Sequence, residues 1–180
     1  MQRSLTFTRV LSLLIASEII LLDQWSKAYV LQLHENSALP IEITSFFNII
    51  LTWNRGVSFG MLHSMQEWMP LALIGATSCI ALFMLIWMLK TVERSTILAL
   101  GCVIGGAIGN ILDRAQHGAV VDFLDFHLSG RHWPAFNLAD STIFVGVVIL
   151  IIGSIVCPRS ETKELNPEPN PVENQDHVPT

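Results

Sequence analysis

Apolar positions in this chain fall into four long blocks separated by short polar intervals, and block length sets the first expectation. Crossing the hydrocarbon of a bilayer takes about 20 mostly apolar helical residues. Trp68 to Leu89 is an uncharged run of that kind, with Pro70 near its start, where a missing N–H costs a helix little. Ile97 to Leu112 and Ser141 to Cys157 are two more. Roughly Phe7 to Leu33 is the first, interrupted by Glu18, Asp23 and Lys27. The pattern predicts a membrane α-helical protein with spans near 7–33, 68–89, 97–112 and 141–157, forming one domain over 1–157. Four spans put both termini on one side. Gly101, Gly105 and Gly109, a double GxxxG with Gly106 beside it, are expected to let another helix pack closely against the third span.

Two segments lie between spans on the other side. Residues 34 to 67 include IEITSFFNIILTWNRGVSFGML, rich in β-branched and aromatic residues, with a turn signal at Asn54-Arg55-Gly56. That composition predicts a small sheet or hairpin. HSMQEW, which follows, is expected to lie at the membrane interface. Residues 115 to 139 form the second outer segment and contain AVVDFLDFHL, in which Asp122 and Asp125 sit among Val, Phe and Leu. Burying an ionised carboxylate is expensive, so either these acids face water or at least one has work to do.

Composition agrees with a membrane protein: 51% of residues are hydrophobic and 14% charged, with mean hydropathy +0.51. Much of the net charge of −5 resides in the stretch from Pro158 onward, which has five acids, two bases and five prolines. With little apolar surface to bury, residues 158–180 are expected to be a disordered cytoplasmic tail. No basic stripe suggests nucleic acid. Arg3 and Arg9 before VLSLLIASEIILL imitate a secretory signal, but no small-residue cleavage site follows, so a retained first span is expected. Cys79, Cys102 and Cys157, without a CxxC, read as small buried hydrophobes.

Arg3, Arg9, Lys90, Arg94, Arg159 and Lys163 fall on the terminal side, against Lys27, Arg55, Arg114 and Arg131 on the other. The bias places both termini in the cytoplasm.

Topology then gathers ionisable and amide side chains at the outer rim. Asp23 and Lys27 share a face of the first helix; Asn110 and Arg114 share one of the third, beside Asp113. Asn137 and Asp140, in FNLADS, open the fourth span, and Asn54 lies in the outer loop. Each has a plain structural reading: an ion pair for Asp23 and Lys27, capping and snorkelling for Asn110 and Arg114, an N-cap for Asp140. Capping alone does not require so many polar groups at one rim, and intramembrane ionisable residues are functional candidates. HExxH and histidines at ligand spacing are missing, so no metal or cofactor is expected. Two carboxylates sharing a site remain: one holds a proton while the other activates water.

Five stretches closely resemble the bacterial lipoprotein signal peptidases (signal peptidase II). They are DQWSK, NRGVSFG, GGAIGNILDR, VVDFLDF and FNLADS, in that family's order, over about residues 23 to 142. The resemblance implies an aspartyl endopeptidase of the bacterial inner membrane that removes the signal peptide from prolipoproteins, cutting before a diacylglyceryl-modified cysteine. It implies four transmembrane helices with a small extracytoplasmic β-cradle and a short amphipathic helix. The catalytic pair falls on Asp122 and Asp140, and supporting residues on Asp23, Lys27, Asn54, Gly56, Asn110, Arg114 and Asn137. Partners would be the prolipoprotein substrate and membrane lipid, with the enzyme a monomer and its site on the periplasmic side. Asp125 is expected to face water or bond locally. Two rival classes are a proton- or ion-coupled transporter, which would spread polar groups along the spans, and a non-enzymatic membrane assembly protein resting on the double GxxxG.

Overall fold

The computed structural model describes residues 2–56 and 68–156. The interfacial placement of HSMQEW (but for Trp68), Cys157 and the acidic tail lie outside the described residues. Along the chain come α1 (Gln2–Glu35), β1 (Ile41–Thr44), β2 (Phe47–Asn54), α2 (Met69–Lys90), α3 (Arg94–His117), β3 (Val120–Leu128), β4 (Arg131–His132) and α4 (Leu138–Val156). All four helices are long and apolar enough to cross a membrane. They coincide with the four expected spans. α3 runs past Leu112 to His117, because Asp113 and Arg114 find partners at the bundle end rather than ending the helix.

α3 is the central helix. Of its most apolar stretch 61% is buried, against 17% for α1, 11% for α4 and 6% for α2. The outer helices turn large side chains such as Leu71, Phe83, Phe144 and Ile155 outward, as lipid-facing surfaces do. The glycine stripe explains why α3 can be surrounded. Gly101, Gly105 and Gly109 lie against α1 at Ser12, Ala16 and Asp23, while Gly106 faces α4 at Ala139 and Thr142. A Cβ on Gly105 would sit 2.9 Å from the Ala16 carbonyl oxygen. Packing is therefore what these glycines serve. At the end away from the polar rim, Met88, Ile97, Leu100 and Ile104 form a buried cluster, tied to α1 by Ser12 Oγ donating to Ile97 O at 2.7 Å.

The outer segments form one antiparallel sheet in the order β1-β2-β3-β4. Its existence matches the expected small sheet, but its turn does not. The chain reverses between β1 and β2 around Ser45 and Phe46, where Phe46 N donates to Thr44 Oγ1 at 3.3 Å. Asn54-Arg55-Gly56 instead ends β2: Gly56 has φ of 83° and its N–H bonds Asn54 Oδ1 at 2.8 Å. The turn chemistry was legible there, yet it closes a strand rather than a hairpin. β3, from the second outer segment, pairs with β2 with one irregularity between Ile49 and Thr52. Three β2 steps there oppose two on β3, a bulge that exchanges the faces beyond it.

Candidate active site

β3 leaves α3 through Gly118, whose φ of 69° ends the helix in a left-handed turn. The strand then runs along the bundle end, held by Asp113 Oδ2, which accepts from Val121 N at 3.0 Å. Strand alternation sends Asp122 and Asp125 to opposite faces. Asp122 is 1% exposed and meets the helices. Its Oδ2 accepts from Asn54 Nδ2 at 2.9 Å and its Oδ1 from Asn137 Nδ2 at 2.7 Å. Asp125, equally buried, accepts from Asn48 Nδ2 at 3.2 Å and contacts His132 Nδ1 at 2.9 Å. Local bonding, not exposure to water, is how it is satisfied. Asn48 and Asn54 are six residues apart, a spacing that would keep both on one face of a regular strand. The bulge between them lets one reach each aspartate.

Phe136 accepts from both Phe123 N and Leu124 N, at 3.0 and 2.8 Å, which ties the start of α4 to β3. Asn137 is the helix N-cap: its Oδ1 accepts from Asp140 N at 2.9 Å. Asp140 Oδ2 reaches back to Asn137 N at 3.4 Å, a capping box with Asp in the place of Glu. The N-cap reading of Asp140 is thus corrected: Asn137 caps, because its side chain sits three residues before the N–H it satisfies. Asp140 is half-buried at the third helical position, and its Oδ1 accepts from Asn110 Nδ2 at 2.8 Å.

Below this pair lies a buried charge group. Lys27 Nζ is 2.7 Å from Asp23 Oδ2, 2.9 Å from Asp113 Oδ2 and 3.2 Å from Asn110 Oδ1. Asp23 Oδ1 accepts from Ala139 N of α4 at 2.9 Å. Arg114 donates to Asn110 O at 3.3 Å and lies within electrostatic range of Asp140, Asp122 and Asp113. Every expected site residue therefore falls at one end of the bundle, Gly56 marking its edge. Two participants carried no expected role. Asp113 belonged to the rim but matched no single function; Gln24, whose Nε2 donates to Asp113 Oδ1 at 2.8 Å, follows Asp23 directly and lies on no obvious stripe. The i,i+3 spacing of Gln24 and Lys27 was the available signal.

The two β3 acids differ electrically as well as in direction. Burial pushes the Asp122 carboxyl up to about 6; Asn54 and Asn137 oppose this, the nearby Asp140 charge adds to it, and Lys27 opposes it. For Asp125 burial also acts upward, but hydrogen bonds from His132 and Asn48 outweigh it and hold the carboxyl below its ordinary range. Among the described residues no three His, Cys, Asp or Glu side chains are grouped to hold a metal ion.

Fold and site together define a polytopic membrane protein with a buried and a half-buried carboxylate tied together at one end of its helical bundle. The family model for signal peptidase (SPase) II matches residues 15–156. The chain belongs to the signal peptidase II family, the membrane proteases of lipoprotein processing. It is 44% identical over 139 residues to the lipoprotein signal peptidase of Ralstonia nicotianae, covering 76% of this chain and 79% of that one. With the lipoprotein signal peptidase of Francisella tularensis subsp. novicida it shares 39% over 145 residues, covering 79% and 89%. Two solved structures of bacterial membrane enzymes share the fold. One superposes with TM-score 0.67 at 26% identity, over 85% of this chain and 92% of its own; the other has TM-score 0.65 at 29% identity, over 79% and 90%.

Proposed function

We propose that this protein is the aspartyl endopeptidase that cuts diacylglyceryl-modified prolipoproteins just before the lipidated cysteine, with Asp122 and Asp140 as its catalytic residues. The observation that carries the reading is the joining of two carboxyls from separate segments by Asn137, which donates its side-chain amide to one and its backbone N–H to the other. Asp140 sits in the first turn of α4, where the helix dipole favours an anion. Asp122 sits where burial favours the neutral acid. The pair thus shares a proton held mainly by Asp122, and lipid-modified substrate would strengthen that preference by excluding water. Water between them attacks the scissile carbonyl carbon, Asp140 takes the water's proton, and Asp122 donates its own toward the developing oxyanion. Collapse breaks the C–N bond, the leaving nitrogen takes the proton from Asp140, and Asp122 recovers its proton from the hydroxyl.

Asn54, Asn137, Asn110 and Arg114 orient the pair and the substrate backbone, while Asp23 and Lys27 support them from α1. The apolar outer faces receive the acyl chains. Both termini are cytoplasmic, the site opens to the periplasmic side of the inner membrane, and the enzyme works as a monomer without a cofactor.

The test is cleavage of a purified lipid-modified prolipoprotein by wild type, Asp122→Asn, Asp140→Asn and Asp125→Asn. The first two substitutions should abolish processing and the third should leave it near normal. Near-normal cleavage by Asp122→Asn or Asp140→Asn would sink the pair.

A further inference from the structure

Two buried carboxylates outside the catalytic pair each hold one backbone N–H, and those N–H groups stand in equivalent places. Asp113 accepts from Val121, the residue before Asp122. Asp23 accepts from Ala139, the residue before Asp140. One ammonium joins both: Lys27 Nζ lies 2.7 Å from Asp23 and 2.9 Å from Asp113. Its third donor direction goes to Asn110 Oδ1 at 3.2 Å. That contact turns the Asn110 amide so that Nδ2 faces Asp140 Oδ1 at 2.8 Å. Lys27, Asp23 and Asp113 are between 0% and 2% exposed, and Gln24 Nε2 braces Asp113 from the far side at 2.8 Å.

We propose that Lys27, Asp23 and Asp113 form a clamp that sets the spacing of Asp122 and Asp140. Lys27 is a positioning residue: it binds neither β3 nor α4 itself, but it fixes the two carboxylates that do. Stability alone is a poor reason for such a group, since a buried ion pair is often no better than apolar residues of the same volume. The connectivity supplies another reason. Backbone held one residue away from each aspartate leaves little freedom for the carboxyl beyond it, and a misplacement of about 1 Å in a reacting group can cost on the order of 100-fold in rate.

The inference rests on the catalytic reading above, and its test separates the two. Full-length Asp113→Asn, Asp23→Asn, Lys27→Met and Lys27→Arg are purified in detergent and compared with Asp122→Asn on the same prolipoprotein. Folded fraction is measured independently by size and helical content. Asp113→Asn and Asp23→Asn should lower kcat per folded molecule by roughly 10- to 100-fold with KM unchanged. Lys27→Arg, which can still bridge two carboxylates, should recover part of the activity lost in Lys27→Met; should Lys27→Met not fold, Asp113→Asn decides the matter.

The pH profile of kcat provides a readout that a merely structural role would not move. Two carboxyls held close titrate far apart. Releasing the clamp should bring the two limbs together and narrow the bell. Loss of the Asp113 charge by itself, acting beside Arg114 and Lys27 on Asp122 and Asp140, would shift both limbs in the same direction at constant width. A parallel shift, a wild-type kcat per folded molecule, or a loss that merely tracks folded fraction would each overturn the clamp. Normal cleavage by Asp122→Asn would instead remove the reading beneath it.

Discussion

Asp122→Asn should give an inactive protein that is more stable than wild type at neutral pH. The carboxyl is 1% exposed and rises from 3.8 to about 6, through burial first, with the Asp140 charge adding to it. An acid that binds its proton more readily in the folded state favours folding at low pH. That contribution is fully present below about pH 4, declines between 4 and 6, and is gone above. At about 1.4 kcal/mol per pH unit the interval corresponds to about 3 kcal/mol at most, and water reaching the half-buried Asp140 screens part of it. Asparagine is neutral throughout and escapes this cost. It offers one amide oxygen where the carboxylate offered two, so either Asn54 or Asn137 loses an acceptor, at about 1 kcal/mol. The net gain above pH 7 is about 1.5 kcal/mol, or roughly 3–6 °C in Tm for a chain of this size. Thermal unfolding of both proteins in one detergent, from pH 4 to 8, measures the difference; groups that titrate in both cancel. The gap should shrink as pH falls and reverse near pH 4. A gap independent of pH, or a more stable wild type at pH 7.5, would refute the reasoning.

Gly109→Ala should destabilise the bundle by about 1–3 kcal/mol, because its Cβ would lie 2.5 Å from Asp23 Oδ2 and 3.2 Å from Asp23 Cγ; Gly75→Ala, with nothing within 4 Å, should leave Tm within about 2 °C in the same detergent melt. His132→Ala should loosen the β3–β4 turn by removing one of the two partners of Asp125, seen as faster amide exchange at residues 128–133, while prolipoprotein cleavage stays within about twofold of wild type.

The spans and the polar rim were legible because lipid imposes a simple rule on sequence. A block of some 20 apolar residues has few other uses, and polar residues adjoining such blocks must find one another. What escaped was set by contacts between distant segments. β3 does not alternate apolar and polar residues, because its first half is buried between α3 and β2, and VVDFLDF therefore showed no strand period. The hairpin turn at Ser45 and Phe46 lacks glycine, whereas Asn54-Arg55-Gly56 has turn chemistry but begins on the last residue of β2. The helix cap fell on Asn137 and not on Asp140 for a related reason: either residue type can cap a helix, and only the position of the first helical N–H distinguishes them.

The pair within VVDFLDF shows how much a strand can do with three residues. An odd spacing commits two acids to opposite faces, so their neighbours are independent even though they lie three residues apart on one strand. On one face helices α3 and α4 bring burial and a second carboxyl, which push Asp122 up; on the other Asn48 and His132 bring donors, which hold Asp125 down. Sequence proximity therefore says little about whether two carboxylates can share a proton. The proposed partner of Asp122 is eighteen residues away because β3, Phe136 and the start of α4 are bound into one unit. In that unit strand parity, and not distance along the chain, decides which aspartate faces the helices and the start of α4.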